Sequence, residues 1–324
     1  MKFGLLLPHF GEHADREKLL GGSRRAEELG FDSVWVRDHL VFEPHGEMEK
    51  PNREFYDALT TLTAIGAVTE RIGLGTGSLI PFRHPLVTAL MTGTMTRLVG
   101  PRLILGVGAG TFDHEFEAIG WGDRDRVSLV RSNAHILRRL ATENDVDYAD
   151  ENFSFSNITV EPKPLGGPVP FWYCGATPRS ARLAVEFADG WMPGRISLAT
   201  MAERVETMRG LSAEKGRPMP TVAVIPPTSV EATREEALRD VNVPGLLAWS
   251  NKAKFAVKPP SGRFETVEDL SGQLIAGDPD DVVAEVKKFA EVGVDHLVFD
   301  FRFKFARWFE QIEFIGTQVL PRLR

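Results

Sequence analysis

Cysteine occurs once, as Cys174, in a chain of 324 residues. Without a second thiol there is no internal disulfide, no cysteine-built zinc site and no iron–sulfur cluster, and a reducing compartment is the natural setting. Positive charge is also short: 38 lysines and arginines face 45 aspartates and glutamates, for a formal net charge of −7. No overall positive field draws in nucleic acid or an anionic membrane. Any anion must be bound locally. Long apolar runs are missing too, because the stretch within MKFGLLLPHF stops at Pro8, well short of a signal sequence or a membrane span. A cytoplasmic protein is expected. Several catalytic signatures are absent as well. No His-x-His pair follows the first expected strand, no carboxylates cluster at adjacent strand ends and no lysine closes a strand, so metal-hydrolase and lysine-aldolase readings lose their ground. Gly-x-Ser-x-Gly does not occur, and no acyl-enzyme is signalled.

What is present is a composition of 43% hydrophobic and 26% charged residues, enough to bury a sizeable core in a water-soluble chain. Short apolar runs that lead into helical patterns recur along the whole length, the mark of repeated βα units. Residues 3–7 are apolar on both alternations apart from Gly4, as a parallel strand buried on both faces should be. Seven more strands are expected to begin near Ser33, Ile72, Leu103, Phe171, Gly190, Thr221 and Asp295. Helices fit over about 15–29, 54–69, 85–98, 127–141, 178–188, 198–214 and 279–292, with a last one near 304–319. Eight alternations predict an α/β protein, a (β/α)8 TIM barrel spanning 1–324 as one domain. Two connections are too long for a bare repeat. The first, 144–168 after strand four, alternates aromatic and polar residues around Tyr148, Phe153 and Phe155, which predicts a short hairpin. The second, 233–272 after strand seven, holds Pro244, Gly245, Pro259, Pro260 and Gly262 with Lys252, Lys254 and Lys258, and reads as a lid or binding loop.

In such a barrel the chemistry sits at the C-terminal strand ends. Glycines crowd three of them: Gly73, Gly75 and Gly77, then Gly106, Gly108 and Gly110, then Gly175. They let backbone approach a flat or phosphorylated ligand closely, although each pair alone could be turn chemistry. The run Cys174-Gly175-Ala176-Thr177-Pro178-Arg179-Ser180 opens a helix whose free N–H groups and hydroxyls suit a phosphate. Strand two ends in Arg37-Asp38-His39. That Asp-His pair is either a satisfied structural contact or a polar edge for a bound ring, with His39 as proton donor or hydrogen-bond partner. Cys174 in an apolar strand reads as a small buried side chain, and Arg83-His84-Pro85 as a helix start. His9, after strand one, is a candidate for the substrate pocket together with Trp191, Met192 and Phe301, whereas His13, His45, His135 and His296 read as structural or solvated.

These motifs, in their order, resemble the luciferase-like monooxygenases, TIM-barrel enzymes that bind a flavin or the deazaflavin coenzyme F420. The matching stretches are Phe31-Asp32-Ser33-Val34-Trp35-Val36-Arg37-Asp38-His39, Arg71-Ile72-Gly73-Leu74-Gly75-Thr76-Gly77-Ser78, Leu105-Gly106-Val107-Gly108-Ala109-Gly110 and Ala188-Asp189-Gly190-Trp191, with Pro81-Phe82-Arg83-His84-Pro85, Glu115, Gly120 and Glu161-Pro162-Lys163-Pro164 between them. They span about 1–195; the last third matches loosely. The resemblance implies that the Thr76-Gly77-Ser78 segment carries the family's non-prolyl cis peptide between Gly77 and Ser78, a bulge that supports one face of the ring. It implies that Asp38 and His39 lie by the ring, that Gly108 and Gly110 line its tail, and that Gly175, Ala176 and Thr177 hold the cofactor phosphate, to which the hydroxyls at the helix start add Ser180. In the sugar-phosphate dehydrogenase branch a catalytic glutamate follows the strand-four glycines. Thr111 stands there in this chain, and Glu115 keeps another family position.

The expected function is hydride transfer between coenzyme F420 and a small organic substrate, with His39 as the catalytic residue. The alternatives are an FMN-dependent monooxygenase fed by a partner flavin reductase, and a flavin-binding barrel that has lost its reaction. The resemblance also implies a homodimer in many members. Lys252, Lys254 and Lys258 read as a solvated loop or, alternatively, as a local attractor for an anionic cofactor tail such as the polyglutamate of F420.

Overall fold

The structure, a computed structural model, describes residues 1–44, 49 and 51–324. The apolar runs become β1 (Lys2–Leu6), β2 (Ser33–Val36), β3 (Gly73–Leu79) and β4 (Leu103–Gly108), and after an excursion β5 (Val146–Ala149) and β6 (Ser154–Ile158). Then come β7 (Phe171–Cys174), β8 (Gly190–Trp191), β9 (Thr221–Val224), β10 (Thr228–Val230), β11 (Ile275–Gly277) and β12 (His296–Asp300). Eight of them close a parallel barrel in the order β1-β12-β9-β8-β7-β4-β3-β2, the expected TIM barrel. The expected hairpin is β5-β6, and β10 pairs with β11 at the edges of the second insertion.

The helices on the barrel are α1 (Gly22–Glu28), α2 (Ala58–Gly66), α3 (Pro85–Val99), α4 (Asp113–Ala118), α5 (Arg126–Thr142), α6 (Pro178–Phe187), α7 (Leu198–Glu214), α8 (Arg234–Leu238), α9 (Val243–Lys252), α10 (Pro279–Glu291) and α11 (Trp308–Phe314). Side-chain caps start most of them, as where Asp278 accepts from the N–H groups of Asp280 and Asp281 to begin α10. The second insertion, expected as loop, contains α8 and α9. Two expected helices differ in form: the first opens with a π turn at Glu17–Gly21, and the last is split by a 3-10 turn and a π turn at Ile315–Val319. These wide turns occur where the first and last helices meet closely. A Cβ on Gly22 would lie 2.6 Å from Trp308 Nε1, and one on Gly316 would lie 2.9 Å from Leu29.

Large aromatics close the barrel interior. Trp35 and Trp172 lie with ring centroids 5.3 Å apart, and His296 meets both edge-on at 5.5 and 5.6 Å. Ser33 Oγ joins them, accepting from Trp35 Nε1 at 2.7 Å and lying 2.7 Å from His296 Nε2. The glycines around this floor have a packing role. A Cβ on Gly75 would sit 2.3 Å from the Trp35 ring, and one on Gly190 would sit 2.5 Å from Trp172. Gly75 therefore makes room for an indole, which corrects the expectation that the whole strand-three cluster serves a ligand.

His9 is also structural, contrary to its expected place in the substrate pocket. Its ring is fully buried, with Nδ1 2.9 Å from the Leu7 carbonyl and Nε2 accepting the Arg37 N–H at 3.0 Å. It ties the turn after β1 to the turn after β2. Burial pushes both His9 and His296 down to about 3. Both stay neutral when folded, so unfolding takes up protons below the ordinary value near 6.5. Their stabilisation is complete above that pH and is lost as pH falls toward 3, by about 1.4 kcal/mol per pH unit for each ring. We expect the midpoint of thermal unfolding to fall steeply between pH 6.5 and 4.5, and a flat profile there would contradict the neutral buried rings. His13 lies 3.3 Å from Glu12, His135 is exposed, and the expectation for His45 lies outside the described residues.

Candidate active site

The C-terminal ends of β2, β3, β4 and β7 surround a cleft of about 440 Å3. Much of its wall is bare backbone, from Gly77, Gly108, Ala109, Gly110, Gly175 and Ala176. The Gly77-Ser78 peptide is cis, as the motif led one to expect, and it lies where the register of β3 on β4 shifts between Thr76 and Leu79. Gly108 lets β4 lie flush beside it, because a Cβ there would be 2.4 Å from Ser78 Oγ. At Gly110 a positive φ of 78° and the Phe116 ring, 2.9 Å from a would-be Cβ, together require glycine. Thr76 is fully buried and donates its hydroxyl to the Gly106 carbonyl at 2.8 Å. It braces the shelf from behind and does not face the cleft. Met192, expected in the substrate pocket, sits with Ile225 under Gly77 inside the barrel.

Asp38 and His39 do not pair with each other. Arg83 grips both oxygens of the buried Asp38 carboxylate, at 2.7 and 3.1 Å, and the Ile80 N–H donates to it at 3.0 Å. Asp38 therefore ties the loop after β3 to the end of β2. His39 Nδ1 lies 3.1 Å from Oε2 of Glu115, whose Oε1 accepts from the N–H groups of Leu40 and Val41 at 2.7 and 3.1 Å. Glu115 stands on α4 and is fully buried. Burial works to raise its pKa, but the bonds from His39 and the two amides outweigh it and hold the carboxyl below its usual range. An ionised partner at Nδ1 makes that nitrogen the protonated one in the neutral ring, leaving Nε2 as the base. Phe42, Phe55 and Phe112 surround the imidazole at 5.2 to 5.5 Å.

The family profile of the luciferase-like monooxygenases matches residues 1–296. The chain belongs to that family. Among its relatives, an F420-dependent glucose-6-phosphate dehydrogenase of Nakamurella multipartita is 28% identical over 316 residues, covering 92% of this chain and 90% of that one. A second enzyme so named, from Rhodococcus jostii, is 30% identical over 327 residues, covering 92% and 91%. In fold, the chain is similar to an F420-dependent secondary alcohol dehydrogenase solved with an F420-acetone adduct, with a TM-score of 0.80 at 20% identity over 100% of this chain and 99% of that one.

In this luciferase-like chain the far end of the cleft is the start of α6. Thr177 caps it, its Oγ1 accepting the Ser180 N–H at 3.1 Å and lying 2.7 Å from Ser180 Oγ. Pro178 fills the first turn, where no N–H is needed. Burial pushes the thiol of Cys174, in the same wall, well up. Trp191 does not line a substrate pocket: it packs in the layer between barrel and helices, and its Nε1 donates to the Gly175 carbonyl at 2.8 Å. Phe301 is likewise in the outer layer, stacked on Phe299 and 5.8 Å from Trp308. The three lysines of the second insertion stand apart from this wall. Lys258 Nζ donates to the carbonyls of Ser250, Asn251 and Ala253, closing the C-terminal end of α9, and none of the three lysines lines the cleft.

A buried charge cluster beside the cleft went unnoticed in the sequence. Arg37 Nη1 is 2.7 Å from Glu49, Arg302 Nη1 is 3.1 Å from the same oxygen, and Arg302 Nε is 2.6 Å from Asp300. Asp300 and Arg302 sit at the end of strand eight, so closer inspection of that end would have found them. Arg195, after β8, lies near this group with its guanidinium 4.3 Å over Trp249 and a buried Nε that has no hydrogen-bond partner. Burial lowers its pKa to about 9. Among the described residues no helix is long and apolar enough to cross a membrane, and no group of His, Cys, Asp and Glu is arranged to hold a metal.

Proposed function

We propose that the protein is an F420-dependent oxidoreductase that transfers a hydride between the deazaflavin coenzyme and a small organic substrate. The observation that carries this reading is the backbone-walled cleft with the His39–Glu115 pair at its edge. A planar ring needs a shelf free of side chains, and a Cβ at Gly108 or Gly175 would crowd that shelf or its phosphate corner. Bound there, the deazaflavin supplies a two-electron hydride donor or acceptor. The chain supplies position and a proton. Gly77, Ser78 and Gly108 carry the ring, Gly110 borders its tail, and Gly175, Ala176, Thr177 and Ser180 receive the phosphate at the α6 N-terminus. Of the titratable groups in the wall, Asp38 is held by Arg83, and burial pushes Cys174 and Tyr173 up. His39 remains to take the hydroxyl proton of an alcohol and to return it to a carbonyl, while Glu115 orients the imidazole. Fluorescence titration of the apoprotein with F420 and with FMN tests this. F420 should bind at least about tenfold more tightly, a gap of about 1.4 kcal/mol. FMN binding as tight as F420 would move the reading to an oxygen-activating monooxygenase.

A homodimer through α2 and α3 belongs to the same reading. The two helices pack side by side, and Arg97 is their one charged residue. Val87, Leu90 and Leu98 are exposed on α3, Leu98 at 70%. A surface with exposed apolar side chains and Arg97 as its one charge is compatible with its own copy. Light scattering should report a dimer for the native chain and a monomer for Leu98→Glu.

A further inference from the structure

We infer that Tyr173 is a further coenzyme-binding residue, whose hydroxyl ends a hydrogen-bond chain running from Thr177 through Ser180 and donates the chain's spare proton to the coenzyme phosphate. The inference rests on the F420 reading proposed above. Tyr173 stands on β7 and lines the same cleft as Gly175, Ala176, Thr177 and Ser180, the residues already given to the phosphate. Only 3% of the residue is exposed. Its ring belongs to the outer layer of the core, 5.2 Å from the Phe187 ring at the end of α6, so what it presents to the cleft is its hydroxyl end. Packing fixes that placement whether or not a ligand is bound.

The phenol oxygen meets the Ser180 side chain, and Ser180 Oγ lies 2.7 Å from Thr177 Oγ1. Three hydroxyls in a row carry three protons but make only two bonds among themselves. One proton is left to point outward. Thr177 Oγ1 already accepts the Ser180 N–H at 3.1 Å, as a capping hydroxyl does, so its own proton can go to Ser180 Oγ. The chain then runs from Thr177 to Ser180 to Tyr173, and the spare proton is on the phenol. That is the most acidic of the three hydroxyls and the best donor to an anion. Burial, the leading influence, holds the phenol above its ordinary range, so it stays protonated; Arg179 and Asp125, whose charges reach it, pull in opposite directions. Neither of those two lines the cleft. The charged or titratable wall residues Arg37, Asp38 and His39 all come from the end of β2, so at the α6 end a phosphate relies on hydroxyl and N–H donors.

Fluorescence titration of the apoprotein tests this without turnover, using two ligands: F420, and the same deazaflavin cut back to its ribityl chain so that it carries no phosphate. Tyr173→Phe removes one oxygen and keeps the ring that packs on Phe187. It should weaken F420 by about tenfold or more and leave the phosphate-free ligand within about twofold of native. Ser180→Ala cuts the chain, so for F420 the double variant should lose less than the product of the two single losses. Equal losses for both ligands in Tyr173→Phe would make the residue a packing element only, and an unchanged F420 affinity would remove it from the site; either result overturns the inference. An F420 affinity that ignores Tyr173→Phe but falls tenfold in Arg179→Gln at low salt would also overturn it and give the phosphate to that guanidinium. A native protein that binds neither ligand would sink the coenzyme reading and this inference with it, whereas tight binding of both with the wrong response to Tyr173→Phe sinks this inference alone.

Discussion

Replacing His39 with Ala lowers kcat by about 10² to 10⁴, the usual loss when a proton-transfer group is removed, and leaves coenzyme affinity nearly unchanged. The rate and the affinity separate because His39 stands at the edge of the cleft, whereas the shelf is backbone from other strands. Glu115→Gln gives a more specific signature. The glutamine oxygen can still accept from Leu40 and Val41, but its amide N–H then faces His39 Nδ1. The imidazole turns to its other tautomer and Nε2 carries the proton at rest. The expected result is a loss of about 10 to 10² in kcat for alcohol oxidation with a displaced acid limb in the pH profile. A Glu115→Gln enzyme with native rate and native pH profile would reduce Glu115 to a loop anchor.

Gly175→Asp is expected to abolish coenzyme binding. A Cβ at Gly175 would lie 2.6 Å from Ser180 Oγ, so any side chain disturbs the Thr177–Ser180 pair that starts α6. The aspartate adds a carboxylate where the phosphate should sit, and competes with it for the same helix-terminal amides. Gly175→Asn carries the same bulk without the charge. The affinity should fall by about tenfold or more for Asn and by a further 10² for Asp, both read by fluorescence quenching. Equal losses for the two variants would place the phosphate away from this corner.

The strand starts were readable because parallel strands in a barrel are apolar on both faces and end in glycine. The same property hid which way side chains point. In β7 and β8, Trp172 faces the interior while Tyr173 and Trp191 face the helices, and nothing in a doubly apolar strand distinguishes the two. Trp191 and Phe301 were misplaced for that reason. His9 was misread because its partners are backbone groups, which leave no trace in residue type. The Glu115 contact to His39 spans 76 positions, and Glu49 has no sequence pattern around it. The glycine spacing was legible as a cluster, yet only the packing shows that Gly75 answers to an indole and Gly108 to the shelf.

The aromatic floor formed by Trp35, Trp172 and His296 divides the molecule by depth. It packs the barrel interior below the cis peptide, where Trp35 lies beneath Gly77. Above it the rim is built by the segment after β2 that supplies Glu49, the α8–α9 excursion that supplies Asp240, and the turn after β12 that supplies Arg302 and Phe303. The α8–α9 excursion and the turn after β12 supply no residue of the shelf, whereas the segment after β2 also carries Asp38, His39 and the Leu40 and Val41 N–H groups that hold Glu115. One dry foundation can in this way serve a range of substrates, each admitted by its own set of rim residues.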